Sequence, residues 1–242
     1  MIFVVIDLES NGPDPELCAV TEFGWVIRDT EVAKPLSTKA HMLLGVKDMD
    51  PEAGRITKIS LELLERCGIT REEVLDDFRK DVERHKPEYI VAHNWHRFDG
   101  PLLNRFIRVD GKPIVELPPA IDTLEDLPDE SYEFYRNRTL VDMCTDREFL
   151  NPFPHAALFD CMALDKLLKY EDMEKVAARS RVPSVTVFAD VSFQNKDLAK
   201  ERGYYWQNLR GVVYPKKWVK RMKKDMVPLE QENCPFNVGI IE

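Results

Sequence analysis

The chain has 242 residues, 44% of them hydrophobic and 32% charged, with a formal net charge of −9. That length and balance suit an ordinary soluble globular protein of one substantial domain, with room for a small appendage. Its five cysteines (Cys18, Cys67, Cys144, Cys161 and Cys234) are odd in number, scattered and without a C-x-x-C pair, which argues against a disulfide framework or structural zinc and makes the cytoplasm the expected compartment.

The sequence opens on Ile2-Phe3-Val4-Val5-Ile6, directly followed by Asp7-Leu8-Glu9. With five apolar members, no basic residue ahead and an acid behind, this run does not read as a secretory signal. No stretch approaches the ~20 apolar residues that cross a bilayer, so no membrane partner is expected. The run predicts a strand buried on both faces, turning at Asn11-Gly12. Side chains alternate along a strand, so Asp7 and Glu9 share a face. Residues 17–27 predict a second strand and 40–46 a third, joined by connections short enough for antiparallel pairing. Residues 59–86 read as two helices broken at Gly68. Thr70 caps the second, Glu73 completes a capping box, and Val74, Phe78 and Val82 share its apolar face. A buried strand over 89–94 leads to a helix over 98–107, with Asp99 in the N-cap position and Pro101 in the first turn. Residues 118–123 are a short strand candidate, 129–138 a helix, and 151–180 one helix launched by Pro152 and Pro154.

Val182-Pro183 closes this portion. Beyond it the sequence predicts a strand over 184–193, a short helix over 195–203, a strand over 204–207, a turn at 208–211 and a basic stretch to 224. Residues 190–224 carry ten Lys/Arg and three acids, so this stretch is +7 within a chain of −9. Tyr204, Tyr205, Trp206, Tyr214 and Trp218 are interleaved with those cations. Cations that track phosphates beside aromatics that stack on bases make a single-strand platform, and Trp206, Lys217, Trp218 and Lys220 are its candidate contacts. The same residues also read as the core and solvated face of a small module, or as a docking surface for another protein. Strands first, then alternating strands and helices, predict an α/β fold with a mixed sheet. The composition shift predicts one domain over 1–182 and a small basic, aromatic α+β module over 183–242.

Taken singly, Asp99 reads as a helix cap and Asp160 as a solvated helix residue. Asp7 and Glu9 resist such a reading, because two like charges crowded at a buried strand end repel. A bound cation removes the difficulty, and hard oxygen ligands suit Mg²⁺ or Mn²⁺. His93 and His96, followed by Asp99, offer a zinc cluster as an alternative.

Three segments in this order, "FVVIDLESNG", "YIVAHNWHRFDGPLLNR" and "HAALFDCMAL", resemble the motifs of the DEDD 3′–5′ exonucleases. Asp7 and Glu9 match the D-x-E of the first. Ala92, His93, Asn94, Phe98 and Asp99 resemble the second, and "IDT" (121–123) resembles the segment that commonly follows it. His155, Ala157 and Asp160 meet H-x-A-x-x-D, the third motif of the histidine subclass; the tyrosine subclass would need Tyr where this chain has Ala156. The resemblance covers roughly residues 1–175. It departs at Ser10 and Asn11, where the family often has threonines, and at Ala156, where it often has Arg.

The resemblance implies a ribonuclease H-like sheet flanked by helices and a metal-dependent nuclease that releases nucleoside 5′-monophosphates from single-stranded 3′ ends, on DNA by preference. Asp7, Glu9, Asp99 and Asp160 would hold two divalent cations, Mg²⁺ or Mn²⁺, with His155 as general base. Residues five apart on a helix lie about 140° apart around its axis, so His155 is expected at the helix entry, reaching back across to Asp160. Ser10, Asn11, Gly12 and Asn94 are the implied substrate contacts near the metals, and Glu22 is a family position with a structural role. Expected partners are single-stranded nucleic acid or a 3′ overhang, and a polymerase or other replication or repair protein. An RNA-trimming exoribonuclease and a non-catalytic binding or polymerase-tethering protein are the alternatives.

Overall fold

In the computed structural model, which describes residues 1–127, 139–208 and 216–241, the opening apolar run forms β1 (Ile2–Ser10). Phe3, Val4, Val5 and Ile6 are almost entirely buried, as a strand covered on both faces requires. It pairs antiparallel with β2 (Val20–Asp29), which pairs antiparallel with β3 (Ser37–Met42). Two short helices, α1 (Pro51–Thr57) and α2 (Leu61–Cys67), and the longer α3 (Arg71–His85) follow. Thr70 and Glu73 form the expected capping box of α3. Phe78 of α3 meets Phe23 edge-on at 4.9 Å and Trp25 at 5.3 Å, and the Trp25 indole donates to buried Asp81 at 2.9 Å. Each such ring contributes roughly 1.5–3 kcal/mol by burial, which holds α3 on one face of the sheet.

β4 (Tyr89–Ala92) joins β1 in parallel, then comes α4 (Asp99–Phe106). The ribbon of β5 (Arg108–Val109) and β6 (Lys112–Pro113) follows, and β7 (Ala120–Asp122) pairs parallel with β4. The sheet order β3-β2-β1-β4-β7 is the mixed, helix-flanked sheet expected, with β1 at its centre. α5 (Leu140–Asp146) and α6 (Ala157–Leu168) complete this part.

The single helix expected over 151–180 is two: α6 and α7 (Met173–Ser180). Lys169, Tyr170 and Glu171 donate to Lys166, Leu167 and Leu168 in tightened i−3 bonds that close α6. Nor is the start at the prolines. Residues 152–155 stay outside the helix, with His155 at a left-handed φ of 63°.

The described residues pack as two units, Met1–Leu124 with Thr139–Met173 in one and the remainder in the other. The second unit carries β8 (Ser184–Asp190), α8 (Lys196–Glu201), β9 (Tyr205–Asn208), β10 (Lys216–Lys223), α9 (Val227–Asn233) and β11 (Asn237–Ile240). Its sheet is antiparallel in the order β11-β8-β10-β9. The expected helix over 129–138, residues 209–211 of the expected turn, and Tyr214 lie outside the described residues. Among the described residues no helix is long and apolar enough to cross a membrane.

Candidate active site

β1 outruns its parallel partner: pairing with β4 ends at Val5 and Val91. Past that point the β1 edge faces the start of α4, and the Leu8 N–H donates to Asp99 Oδ1 at 3.1 Å. Asp99 is therefore not the helix cap expected. The N-cap position belongs to Phe98, which makes no side-chain cap bond, and Asp99 opens the helix with its carboxylate turned to β1. The loop before it is fixed from β7, where the buried Asp122 carboxylate accepts the Asn94 and His96 N–H groups, each at 3.0 Å. Asn94 itself takes a left-handed φ of 71°, a conformation Asn tolerates better than most residues.

Asp7 and Glu9 lie on one face of β1, opposite Gly24 and Glu22 of β2. A Cβ at Gly24 would stand 2.6 Å from the Ala157 carbonyl carbon, so only glycine lets the first turn of α6 rest on the strand. Glu22 Oε2 accepts the Ala157 N–H at 2.9 Å, anchoring that turn. Further along α6, buried Asp165 pairs with Arg28 of β2. Helix α6 is thus fixed along its length and brings Asp160 in its first turn against the acids of β1.

His155 sits where the spacing argument requires, ahead of the helix and exposed. Its N–H donates to Asp160 Oδ2 at 2.9 Å, while the Asn151 side-chain amide donates to Oδ1. Asn151 Oδ1 in turn accepts the Phe153 N–H at 3.1 Å. The loop is so folded that a His155 ring nitrogen and carboxylate oxygens of Glu9 and Asp160 all lie within 4.8 Å of one another.

The electrostatics are severe. Burial, then the carboxylates of Asp99, Glu9, Asp160 and Glu22, push Asp7 well above its ordinary range. Glu9 is pushed up to about 8 by burial and by Asp160 and Glu22. Burial raises Asp99 and Asp160 as well, against the Leu8 and His155 N–H bonds that favour their charged forms. A set of oxygen donors, with Glu9, Asp99 and Asp160 buried and Asp7 half-buried, that repel one another in the metal-free protein matches what a hard divalent cation needs. The residues present fit such ions.

The expected substrate contacts fare unevenly. Ser10 is buried with Oγ donating to the Gly12 carbonyl at 2.7 Å. Asn11 spends its amide on Asp48 and accepts from Ala19. Trp206 and Trp218 face each other across β9 and β10 with ring centroids 5.4 Å apart. Lys217 follows the alternation to the opposite face, its Nζ 3.3 Å from the Phe188 ring centroid. Lys220 is buried, 3.5 Å from buried Glu230 and over the Tyr204 ring, so it does not belong to an exposed basic surface. His93 hydrogen-bonds Thr123 at 3.0 Å.

Sequence reasoning missed Asn151, and no motif position marked it. Replacing Asn151 with Ala frees one oxygen of Asp160 and loosens the His155 loop. Loss of an outer partner of a ligand typically costs 10–100-fold, so turnover falls by roughly that factor and the Mg²⁺ concentration for half-maximal activity rises. A magnesium titration of the activity reads both, and an unchanged titration curve would refute this role.

Residues 4–168, more than half of the chain, match the exonuclease family RNase_T. A DNA polymerase III PolC-type of Thermotoga petrophila is 34% identical over 126 residues, 50% of this chain and 8% of that protein. The E. coli exonuclease I complex with single-stranded DNA, in a zinc-bound form, superposes with a TM-score of 0.56 at 15% identity, covering 83% of this chain and 50% of that one. A 3′-exonuclease that recognises the 3′ end of a histone mRNA stem-loop superposes with a TM-score of 0.54 at 16% identity, covering 70% of this chain and 80% of that one.

Proposed function

The chain belongs to the exonuclease family RNase_T, and we propose that it is a metal-dependent 3′–5′ exonuclease releasing nucleoside 5′-monophosphates from single-stranded ends. The observation that carries this reading is the convergence of Asp7, Glu9, Asp99 and Asp160 from one strand and two helix starts, with His155 beside them. In this reading the four carboxylates hold two divalent cations, Mg²⁺ or Mn²⁺. When bound, such ions neutralise phosphoryl oxygens and acidify water. Asp99 and Asp160 are held in place by backbone N–H groups, so little reorganisation is needed when a phosphodiester arrives. His155, exposed and beside Glu9 and Asp160, takes the proton of the attacking water at its ring nitrogen. The nuclease domain is proposed over residues 1–182, with the module over 183–242 beyond it.

DNA is the proposed substrate, supported by the likeness to part of a DNA polymerase III PolC-type. That likeness also supports a polymerase or other replication or repair protein as partner. RNA is the second reading, supported by the structural likeness to a 3′-exonuclease that recognises a histone mRNA stem-loop. The test uses matched DNA and RNA strands, each with the 3′ end free or blocked. Shortening of free-ended strands and resistance of 3′-blocked ones establishes the direction, and the faster polymer names the substrate. Equal degradation of 3′-blocked strands would rule out the proposed polarity.

A further inference from the structure

The second unit carries a row of aromatic rings and lysines that the catalytic centre does not use. Trp206 of β9 and Trp218 of β10 are cross-strand partners, so their side chains lie on the same sheet face. Their rings are 5.4 Å apart and Trp206 is 54% exposed. Lys216 lies two residues from Trp218 on β10, hence on that same face, and is exposed. Helix α8 continues the row. Lys196 and Lys200, one turn apart on α8, place Nζ 5.8 Å from the Trp218 centroid (Lys200) and 4.2 Å from that of Phe193 (Lys196). Phe193 is 76% exposed. Lys200 also touches exposed Asp197 at 3.0 Å, a surface pair of small worth in water.

Phe193 and Trp206 are exposed, while Trp218 is half-buried against the small core of this unit. Exposed rings are costly unless they meet a partner, and these lie beside cations. Rings offer faces to bases and lysines offer charge to phosphates, a combination that suits a flexible polyanion carrying flat apolar groups. We propose that Phe193, Trp218 and Trp206, with Lys196, Lys200 and Lys216, form a stacking site for single-stranded nucleic acid. The choice of this ligand rests on the nuclease reading above; the site itself is made of other residues than the acid cluster. It also revises the sequence expectation, since Lys216 replaces Lys217 and Lys220 as the cation beside the tryptophans.

The test measures binding of the full chain to 5′-fluorescein dT20 by anisotropy in EDTA, across a salt series. Trp206→Ala weakens binding on the order of 5- to 150-fold, the loss expected for one stacked base, while Trp206→Phe retains most of the affinity. Changing Lys196, Lys200 and Lys216 together to Ala flattens the slope of log K against log salt by about 2, at ~0.7 per phosphate contact on a single strand. Unchanged affinity in Trp206→Ala together with an unchanged slope in the lysine variant overturns the proposal, as a surface built for a protein partner would give. Shortening of 3′ ends by wild type alongside those unchanged values would leave the nuclease reading standing and remove this one. Binding through Trp206 without any shortening would do the reverse.

Discussion

Replacing Asp7 with Asn lowers turnover by at least 10³–10⁴-fold, since bound ions typically supply several kcal/mol of charge stabilisation, at about 1.4 kcal/mol per factor of ten. The same change raises the melting temperature of the metal-free protein. Asp7 is the acid most surrounded by others, facing Asp99, Glu9, Asp160 and Glu22. Without cations, those carboxylates bind protons in the folded chain that the unfolded chain has already released. Glu9, ordinarily near 4.5, titrates at about 8 in the fold. Stability of the metal-free protein therefore falls as pH rises through the window between those two values. An amide at position 7 removes a like charge from the cluster and softens that fall. Each kcal/mol recovered moves the melting temperature by about 2–4 °C for a domain of this size. Divalent cations act in the opposite sense on wild type: they displace the protons, so the melting temperature gained with Mn²⁺ is larger at pH 8 than at pH 6. In Asp7→Asn this gain shrinks. Thermal melts at both pH values, with and without Mn²⁺, check the account. A variant that loses activity and is also less stable without metal would show that Asp7 serves the fold rather than an ion site.

His155→Ala reduces kcat by on the order of 10²–10⁴-fold, the contribution of a positioned general base. Two roles are geometrically open to an imidazole whose ring nitrogen shares a 4.8 Å neighbourhood with Glu9 and Asp160 oxygens: base, or third ligand. They leave different marks. Loss of a base spares cation affinity, whereas loss of a ligand weakens it together with turnover. The base assignment predicts a Mn²⁺ dissociation constant within a few-fold of wild type by calorimetry. His155 is exposed and sits on a loop at φ 63°, tied to Asp160 through its backbone N–H. A loss of Mn²⁺ affinity as large as the loss of kcat would reassign His155 to the metal.

What the sequence made legible follows from which signals are local. β1 announced itself because five consecutive apolar residues end on two acids, and alternation alone places Asp7 and Glu9 together. The capping box at Thr70 and Glu73 is a four-residue signature and appears as read. The resemblance brings His155 and Asp160 to one site, their five-residue spacing then expects the histidine off the helix, and it is off the helix. Features made by distant parts of the chain were not legible. Asp99 looks like a cap because only the fold reveals the free Leu8 N–H that claims it. Gly24 is unremarkable until α6 is laid on it. α1 escaped notice because none of its residues is buried, so no apolar periodicity marked it. Lys220 counts as basic surface by composition, yet the β10 register turns it toward buried Glu230. Charge is read from sequence, but exposure is decided by register.

The most direct test of the central claim is a time course on a 5′-labelled DNA with a single-stranded 3′ overhang, run with Mg²⁺, with EDTA, and with Asp7→Asn. The proposed function predicts a ladder shortening from the 3′ end, and the acid cluster predicts that EDTA and the variant each abolish it. Shortening that persists in EDTA, or at the wild-type rate in Asp7→Asn, would contradict a cation-dependent centre built on these carboxylates.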